Sequence, residues 1–455
     1  MDLIPKPDQV ASAASNVAHK VLYGGLADLR PMPRTLIDDG PLREVYHYRP
    51  QKRTRETGDP VLLVSPLAAP STCYDLRRGC SLVEHLVERG RPTYLMDYGE
   101  VSFKSRKLGL ERWVEEVIPE AVKTASEHAG GRPVHVVGWS LGGIFAALAA
   151  ADSPQLPIAS LTVLGTPFDV TQVPMVAPTR PILKLTSSGL VTQLYRMLGS
   201  APTPLVRRAV QLTSGLRLFT KPMAILQHLD DGEWLAQIEA VNRFTSAMRA
   251  YPGRSFGQLY HRMLRADQLL SGRMDLAGHE VDLADIKGPV LIFSGNTDGI
   301  APIRAVQAMV PLLTGAAEVR FEIVPGGHLG LLTGRAARAT TWVTLDEWIE
   351  QYSTPDDRAS TPRVRQRAPA KVAAKTTKKA AEKAAAKKAV PRKAAPKKAA
   401  PKRAAAKEAG TTPRKKPTPR AAKALADVAP DRSAIGSNPE RRFASAPSRN
   451  LARKP

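Results

Sequence analysis

The most informative stretch of this chain reads Val134-His135-Val136-Val137-Gly138-Trp139-Ser140-Leu141-Gly142-Gly143. A short apolar run ends in the pattern Gly-x-Ser-x-Gly over Gly138–Gly142, and the small apolar residues that follow favour a helix. A strand that turns sharply into a helix with a serine at the apex is a nucleophile elbow, and its glycines leave room for the strained turn. The pattern therefore predicts that Ser140 is a nucleophile.

Strands and helices alternate on both sides of this elbow. Apolar residues spaced three to four apart predict helices over Leu82–Glu88 and Glu111–His128. Short apolar runs rich in β-branched residues predict strands at Val61–Ser65, Pro92–Met96, Val134–Val137, Ser160–Leu164, Pro289–Ser294 and Val319–Val324. Such alternation indicates an α/β fold with a mostly parallel, doubly wound sheet.

Composition divides the 455 residues into segments. Residues 1–42 are predicted to form an arm with one short helix, and residues 43–353 the α/β domain. Strand signals stop over about 167–287, where prolines and glycines interrupt helical patterns. The simplest interpretation is a helical lid inserted over the active site, and the alternative is an additional packing layer. Residues 354–455 form a basic tail.

Nearly all of the net charge of +24 belongs to this tail. Residues 355–455 hold 29 Lys and Arg against 7 Asp and Glu, whereas the rest of the chain holds 37 against 35. Bulky apolar residues are almost absent from the tail, so we expect it to be disordered. It either solubilises the protein or binds a polyanion such as DNA, an anionic membrane or a granule surface, without sequence specificity because Phe443 is its only aromatic residue.

Cysteine content and targeting signals indicate a cytoplasmic protein. Cys73 and Cys80 are the only cysteines, which gives neither a disulfide framework nor a metal-ligand cluster. No secretory signal begins the chain, and no apolar run approaches the roughly 20 residues of a membrane span. Through its tail the protein could associate with granules, lipid droplets or the nucleoid. The sequence does not indicate an oligomeric state.

A serine nucleophile needs a histidine base that is oriented by an acid, and in this fold the chain order is Ser, Asp or Glu, His. Asp298 follows a late predicted strand, and His328 lies in a glycine-rich loop after the last one. They are therefore the predicted acid and base. The sequence context predicts other roles for three further histidines. His135 lies inside the elbow strand and is predicted to be a packed core residue, whereas His261 and His279 are predicted to lie on the surface.

The negative charge that develops during acyl transfer needs two backbone N–H donors. One is predicted to be Leu141, directly after the nucleophile, and the other Leu67 or Ala68, in the loop after the strand Val61–Ser65. Asp97 ends another strand and could be a second acid, but a structural role through the backbone amides of its turn is favoured. No metal site and no cofactor are predicted.

From about Val61 to Glu350 the chain resembles the polyhydroxyalkanoate synthase branch of the α/β-hydrolases. Stretches that carry the resemblance are Leu62-Leu63-Val64-Ser65-Pro66 with Tyr74-Asp75-Leu76, Tyr94–Gly99, Tyr251-Pro252-Gly253, Asp267-Gln268-Leu269, Asp298 with Ile300 and Pro302, and Gly326–Gly330. The resemblance implies an α/β-hydrolase fold, and it adds acyl-coenzyme A to small acyl esters as a candidate substrate.

The polymerases of that branch carry cysteine where this chain has Ser140. A cysteine thioester has the same energy as the incoming thioester, so acyl groups can be loaded and passed on reversibly. A serine ester lies lower and is emptied to water or to another hydroxyl. We therefore expect a serine hydrolase or acyltransferase acting on fatty or hydroxy acids. The alternatives are a polymerase of hydroxyacyl-coenzyme A and a granule or nucleoid tether that acts through the tail.

Overall fold

The computed structural model describes residues 7–50, 54–99, 103–174, 176–177, 200–201, 223–249 and 251–355. Its strands in chain order are β1 (Arg34–Gly40), β2 (Arg43–Tyr48), β3 (Val61–Val64), β4 (Thr93–Asp97), β5 (Val134–Trp139), β6 (Ile158–Leu164), β7 (Ser200–Ala201), β8 (Tyr251–Pro252), β9 (Arg273–Leu276), β10 (His279–Asp282), β11 (Val290–Gly295) and β12 (Val319–Val324). Eight of them form one sheet in the order β1-β2-β4-β3-β5-β6-β11-β12. Its pairs are parallel except β1–β2 and β2–β4.

Helices pack on both faces of this sheet. The helices of the described residues are α1 (Pro7–Tyr23), α2 (Leu82–Glu88), α3 (Ile118–His128), α4 (Leu141–Asp152), α5 (Gly232–Ser246), α6 (Gly253–Gln258), α7 (Ile303–Gln307), α8 (Gly330–Thr333) and α9 (Thr341–Tyr352). Of these, α1 has no buried residue and lies against α5. A π-helical turn at Arg112–Val117 leads into α3. The observed sheet and helices confirm the predicted mostly parallel α/β architecture.

Alternate residues of the central strands enter two separate cores. In β3, Leu62 and Val64 pack with α3 and α4, whereas Val61 and Leu63 pack with α2 and α9. Side chains along a strand point to opposite faces, so a strand covered on both sides must be apolar throughout. This double burial explains why the central strands read as short continuous apolar runs.

The sheet begins earlier than the sequence predicts. β1 lies within residues 1–42, the stretch predicted as an arm outside the α/β domain, and pairs antiparallel with β2. β1 is an edge strand whose residues are all exposed or half-buried, so its sequence carries no apolar run. The predicted domain boundary at residue 43 is therefore wrong, because the sheet of the domain already starts at Arg34.

The inserted segment at about 167–287 is not wholly helical. Its described part contains α5 and α6, but also an antiparallel hairpin of β9 and β10. Met274, Leu276 and Val281 are buried between exposed neighbours, which is a period of two. The turn between the strands uses Ala277 and Gly278, both at positive φ. The remainder of the predicted lid lies outside the described residues.

The described part of the chain ends beside the first residues of β3 and β5. Asp59, which is fully buried, accepts hydrogen bonds from the backbone N and Oγ1 of Thr354 at 2.7 and 2.6 Å. Arg132 Nε donates to the same carboxylate at 2.7 Å. The predicted basic tail from residue 356 onward lies outside the described residues. Within the part that is described, no helix has the length and hydropathy to cross a bilayer.

Candidate functional site

Ser140 lies at the turn between β5 and α4, as predicted. Its backbone adopts φ 55° and ψ −125°, a region that side-chain-bearing residues rarely occupy. Two glycines permit the turn because other backbone passes close by. A Cβ on Gly142 would lie 2.5 Å from Val64 O, and one on Gly138 would lie 2.6 Å from the Cα of Gly143. The Gly-x-Ser-x-Gly pattern is thus a requirement of packing at this turn.

The structure brings Ser140, His328 and Asp298 together from three loops at the carboxyl edge of the sheet. His328 Nε2 lies 2.9 Å from Ser140 Oγ, and His328 Nδ1 lies 2.8 Å from Asp298 Oδ2. With the Nδ1–H donated to the carboxylate, Nε2 is free to accept the serine proton. The arrangement can therefore activate the hydroxyl for nucleophilic attack.

The Asp298 carboxylate is held on both oxygens. Its side chain is completely buried, and Oδ1 accepts backbone N–H bonds from Ile300 and Ala301, each at 2.8 Å. Only Oδ2 is left for His328. The turn after β11 thus fixes the direction in which the acid meets the imidazole.

Trp139, the residue before the serine, supports the histidine loop. Its indole Nε1 donates to the backbone carbonyl of His328 at 2.9 Å, and the two rings are in contact at a tilt of 40°, with centroids 5.0 Å apart. Phe244 of α5 also packs on the indole of Trp139, with ring centroids 6.0 Å apart. The sequence gives no signal for this role, because the partner of Trp139 is 189 positions away.

Gly165, which follows β6, lies against the acid and base. Its φ is +54°, and a Cβ there would lie 3.2 Å from His328 Nδ1 and 3.3 Å from Asp298 Oδ2. A side chain at this position would therefore press on the hydrogen bond between the two residues. Sequence reasoning missed Gly165, although a glycine directly after a central strand was a usable signal.

The residues proposed as oxyanion donors lie beside the elbow. Leu141 is the first residue of α4, where backbone N–H groups have no acceptor within the helix. Leu67 and Ala68 are buried in a turn closed by the bond from Ala69 N to Pro66 O, with Ala68 at φ +68°. Within the described ranges, the N–H groups of Leu67 and Ala68 have no hydrogen-bond acceptor. The choice between these two donors stays a prediction.

Asp97 does not contact the Ser140, His328 and Asp298 cluster. Its Oδ2 accepts from Ser71 Oγ at 2.6 Å, and its Oδ1 accepts from the backbone N of Gly99 at 3.1 Å. Arg249 Nη1 lies 3.3 Å from Oδ1. These contacts agree with the structural role favoured by the sequence, and they add an ion pair that the sequence did not indicate.

The remaining histidines lie away from the cluster. His135 is buried between the hydroxyls of Ser160 and Ser353, and burial lowers its pKa to about 4. His279 is half-exposed and pairs with Asp152. Burial lowers the pKa of His261, and the nearby charge of Arg265 lowers it further. Across the described residues, no three His, Cys, Asp or Glu side chains are grouped so as to hold a metal ion.

Comparisons with known proteins agree with this architecture. A family model described as alpha/beta hydrolase fold matches residues 59–335. The chain is 23% identical to the poly(3-hydroxyalkanoate) polymerase subunit PhaC of Haloferax mediterranei over 68% of this chain and 63% of that protein. It is also 23% identical to the PhaC subunit of Allochromatium vinosum, over 68% of this chain and 85% of that protein.

The chain thus spans somewhat less than two thirds of the Haloferax protein. Among solved structures, a putative non-heme bromoperoxidase BpoC from Mycobacterium tuberculosis superposes with a TM-score of 0.43 at 15% identity, covering 70% of this chain and 98% of that one. These proteins are relatives and neighbours of the chain, and its own site must be interpreted from its own residues.

Proposed function

The chain belongs to the α/β-hydrolase fold family, and we propose that it is a serine hydrolase or acyltransferase acting on an ester or thioester of a fatty or hydroxy acid. The observation that carries this proposal is the continuous line of contacts from Ser140 Oγ through His328 to Asp298, at 2.9 and 2.8 Å. The similarity to poly(3-hydroxyalkanoate) polymerase subunits supports the acyl class of substrate.

The chemistry follows from the positions of these groups. Ser140 Oγ attacks the acyl carbonyl carbon while His328 Nε2 takes the hydroxyl proton, and Asp298 stabilises the imidazolium that forms. The tetrahedral intermediate collapses when His328 returns the proton to the departing alcohol or thiol. Water or an acceptor hydroxyl then attacks the Ser140 ester by the same steps in reverse order. The proposed reaction uses no cofactor.

The oxyanion of both tetrahedral intermediates is assigned to the N–H of Leu141 and that of Leu67 or Ala68. A donor at the start of α4 also benefits from the positive end of the helix dipole. Leu67 and Ala68 are buried, which limits competition from bulk water for their N–H groups. Preorganised donors of this kind account for a factor of about 10²–10³ each in related chemistry.

The identity of the nucleophile favours hydrolysis or single acyl transfer over polymerisation. An ester on Ser140 lies below a thioester in energy, so a growing chain is not readily passed back to a thiol. Polymerisation of hydroxyacyl-coenzyme A is the second candidate, because the chain is similar to polymerase subunits. The two candidates differ in their product, which is a free acid or ester in one case and polymer in the other.

A panel of acyl esters and acyl-coenzyme A thioesters tests the proposal. We expect wild-type protein to release free acid, and Ser140→Ala to lower turnover by about 10⁴-fold or more while abolishing fluorophosphonate labelling. Ser271→Ala, which removes an exposed hydroxyl, is the matched control. Labelling of Ser140→Ala at the wild-type rate would contradict the assignment of the nucleophile, and recovery of polymer would favour the second candidate.

A tether function is the third candidate, supported by the 29 Lys and Arg residues of 355–455. Thr354 is held at the amino ends of the central strands, whereas Ser140 lies at the carboxyl end of β5. Deleting 356–455 keeps the Thr354 anchor, and should abolish salt-sensitive binding to DNA or anionic vesicles while ester hydrolysis continues.

A further inference from the structure

We propose that Arg249 is a positioning residue that holds the Pro66–Ala69 turn in its oxyanion-binding conformation. This inference rests on the proposed function, because it concerns the same acyl-transfer site. Arg249 lies three residues after α5, within the inserted segment, and is far in sequence from both the elbow and the turn. It touches neither Ser140 nor His328, so it acts through the backbone of other residues.

The first contact is between backbones. The N–H of Arg249 donates to the carbonyl of Ala68 at 2.8 Å. Ala68 has φ +68°, a conformation that costs a residue with a side chain on the order of 1 kcal/mol and persists only where surrounding contacts enforce it. The Ala68 carbonyl shares one peptide plane with the N–H of Ala69, which donates to Pro66 O at 3.2 Å. Fixing this plane limits rotation about ψ of Ala68, and with φ held at +68° it restrains the preceding peptide, which carries the Ala68 N–H. The direction of the neighbouring N–H groups is thereby set.

The second contact anchors Arg249 itself. Its guanidinium donates to the carbonyl of Gly99 and pairs with Asp97, whose side chain is only 9% exposed. Asp97 also accepts from Ser71 Oγ, and Ser71 begins the short helix that follows the turn. The two members of this ion pair therefore hold the two ends of one segment: Arg249 bonds the Ala68 carbonyl, and Asp97 bonds Ser71. A partly buried carboxylate with an arginine partner is a firmer anchor than an exposed pair.

The same end of α5 also reaches the base. Phe244 packs on Trp139, which in turn holds the His328 loop. Residues 244–249 of the inserted segment thus contact both the base loop and the turn. Through this double contact, a change at residues 244–249 would act on both the base and the proposed oxyanion donors.

Arg249→Met removes the charge and the guanidinium donors that anchor the residue to Gly99 and Asp97, but it keeps an unbranched side chain and the backbone N–H that donates to Ala68. We expect kcat for a short p-nitrophenyl ester to fall about 10- to 100-fold with KM changed less than about twofold, because misplaced donors weaken the transition state and not the bound substrate. Arg249→Lys should recover part of the loss. Asp97→Asn should also lower kcat, and the double variant should lose no more than the worse single one.

Arg254→Met is the matched control. Arg254 also belongs to the inserted segment and pairs with Glu111, but among the described residues it has no contact with the turn. Amide hydrogen exchange of a peptide covering 66–73 measures the flexibility of the Pro66–Ala69 turn independently of enzymatic activity. Exchange should be faster than in wild type in Arg249→Met and unchanged in Arg254→Met. Should Arg249→Met fold poorly, Ser71→Ala loosens the same anchor at its neutral contact and should show the same exchange change in milder form.

Two outcomes would overturn the inference: unchanged exchange in a folded Arg249→Met protein, or a kcat loss equal in Arg254→Met. Failure of the proposed function looks different. In that case wild-type protein hydrolyses no ester and Ser140 takes no fluorophosphonate label, while the exchange difference between the two arginine variants still supports the positioning role.

Discussion

The indole Nε1 of Trp139 and the backbone carbonyl of His328 are joined by a 2.9 Å hydrogen bond. The residue that precedes the proposed nucleophile therefore also holds the loop that carries the proposed base. This contact runs beside the 2.9 Å contact between His328 Nε2 and Ser140 Oγ. The elbow and the histidine loop are joined twice, and any shift of one must move the other.

Trp139→Phe tests this coupling. It keeps an aromatic ring against His328 but removes the donor, which costs about 1 kcal/mol and should lower kcat/KM for a short ester about 5- to 10-fold. Trp348→Phe is the matched control, since Trp348 is buried and its Nε1 has no hydrogen-bond partner among the described residues. Equal losses of activity in the two variants would show that ring volume, and not the hydrogen bond, supports the loop.

Asp298→Asn tests the acid. The amide oxygen can still accept from Ile300 or Ala301, but an amide cannot hold His328 in the required tautomer or stabilise its charge. We expect kcat to fall by about 10³- to 10⁴-fold with little loss of thermal stability. Asp169→Asn, which removes the charge from a cap at the same edge of the sheet, should retain wild-type rates. Turnover of Asp298→Asn at the rate of Asp169→Asn would contradict the proposed role.

The parts of the fold that the sequence predicts well are those with a strong local pattern. The strands β3, β5 and β11 are apolar runs because both of their faces are covered. The loops after β11 and β12 contain glycines next to Asp298 and His328, and this local pattern points to the acid and the base. The residues of the cluster could be chosen because the fold imposes a chain order on them. Their distances, by contrast, needed the tertiary structure.

The features that the sequence does not reveal depend on long-range contacts. β1 is a half-exposed edge strand, and the β9–β10 hairpin is short and lies inside a segment of helical character. Neither carries enough apolar residues to stand out. The hydrogen-bond partners of Trp139 and Arg249 lie at least 150 positions away, so no spacing rule could identify them.

Ser140→Cys tests the effect of the nucleophile on the outcome of the reaction. The larger thiol should lower ester hydrolysis, but a thioester on the introduced cysteine is isoenergetic with acyl-coenzyme A. We therefore expect labelled coenzyme A to exchange into acyl-coenzyme A at least about tenfold faster relative to hydrolysis than in wild type. Mass spectrometry of the coenzyme A pool measures this ratio. An exchange ratio equal to that of wild type would show that the chemical nature of the nucleophile does not decide the product.

Gly165→Ala tests the contact beneath the acid and base. The new methyl group would lie 3.2–3.3 Å from His328 Nδ1 and Asp298 Oδ2, and the backbone would have to keep φ +54°. We expect a loss of about 1–2 kcal/mol in unfolding free energy and a fall in kcat of about tenfold or more. Gly130→Ala separates the two effects, because Gly130 has φ +78° but open space around it. It should lose stability and keep kcat, so a similar fall in kcat there would contradict steric pressure as the cause.

The buried His135 should make the stability of the body depend on pH. Burial holds its pKa at about 4, below the 6.5 of an exposed histidine, so between these values the unfolded chain binds a proton that the folded chain does not. The contribution of His135 is therefore fully present above pH 6.5 and is lost as the pH falls toward 4. The unfolding free energy changes by up to about 1.4 kcal/mol per pH unit in this range, and by about 3 kcal/mol in total.

Denaturant unfolding of wild type and His135→Gln at pH 7.5, 5.5 and 4.5 measures this contribution. The variant is less stable at pH 7.5 because it loses bonds to Ser160 and Ser353, but its unfolding free energy should decline less steeply with acid. Parallel declines in the two proteins would show that another group governs the acid sensitivity.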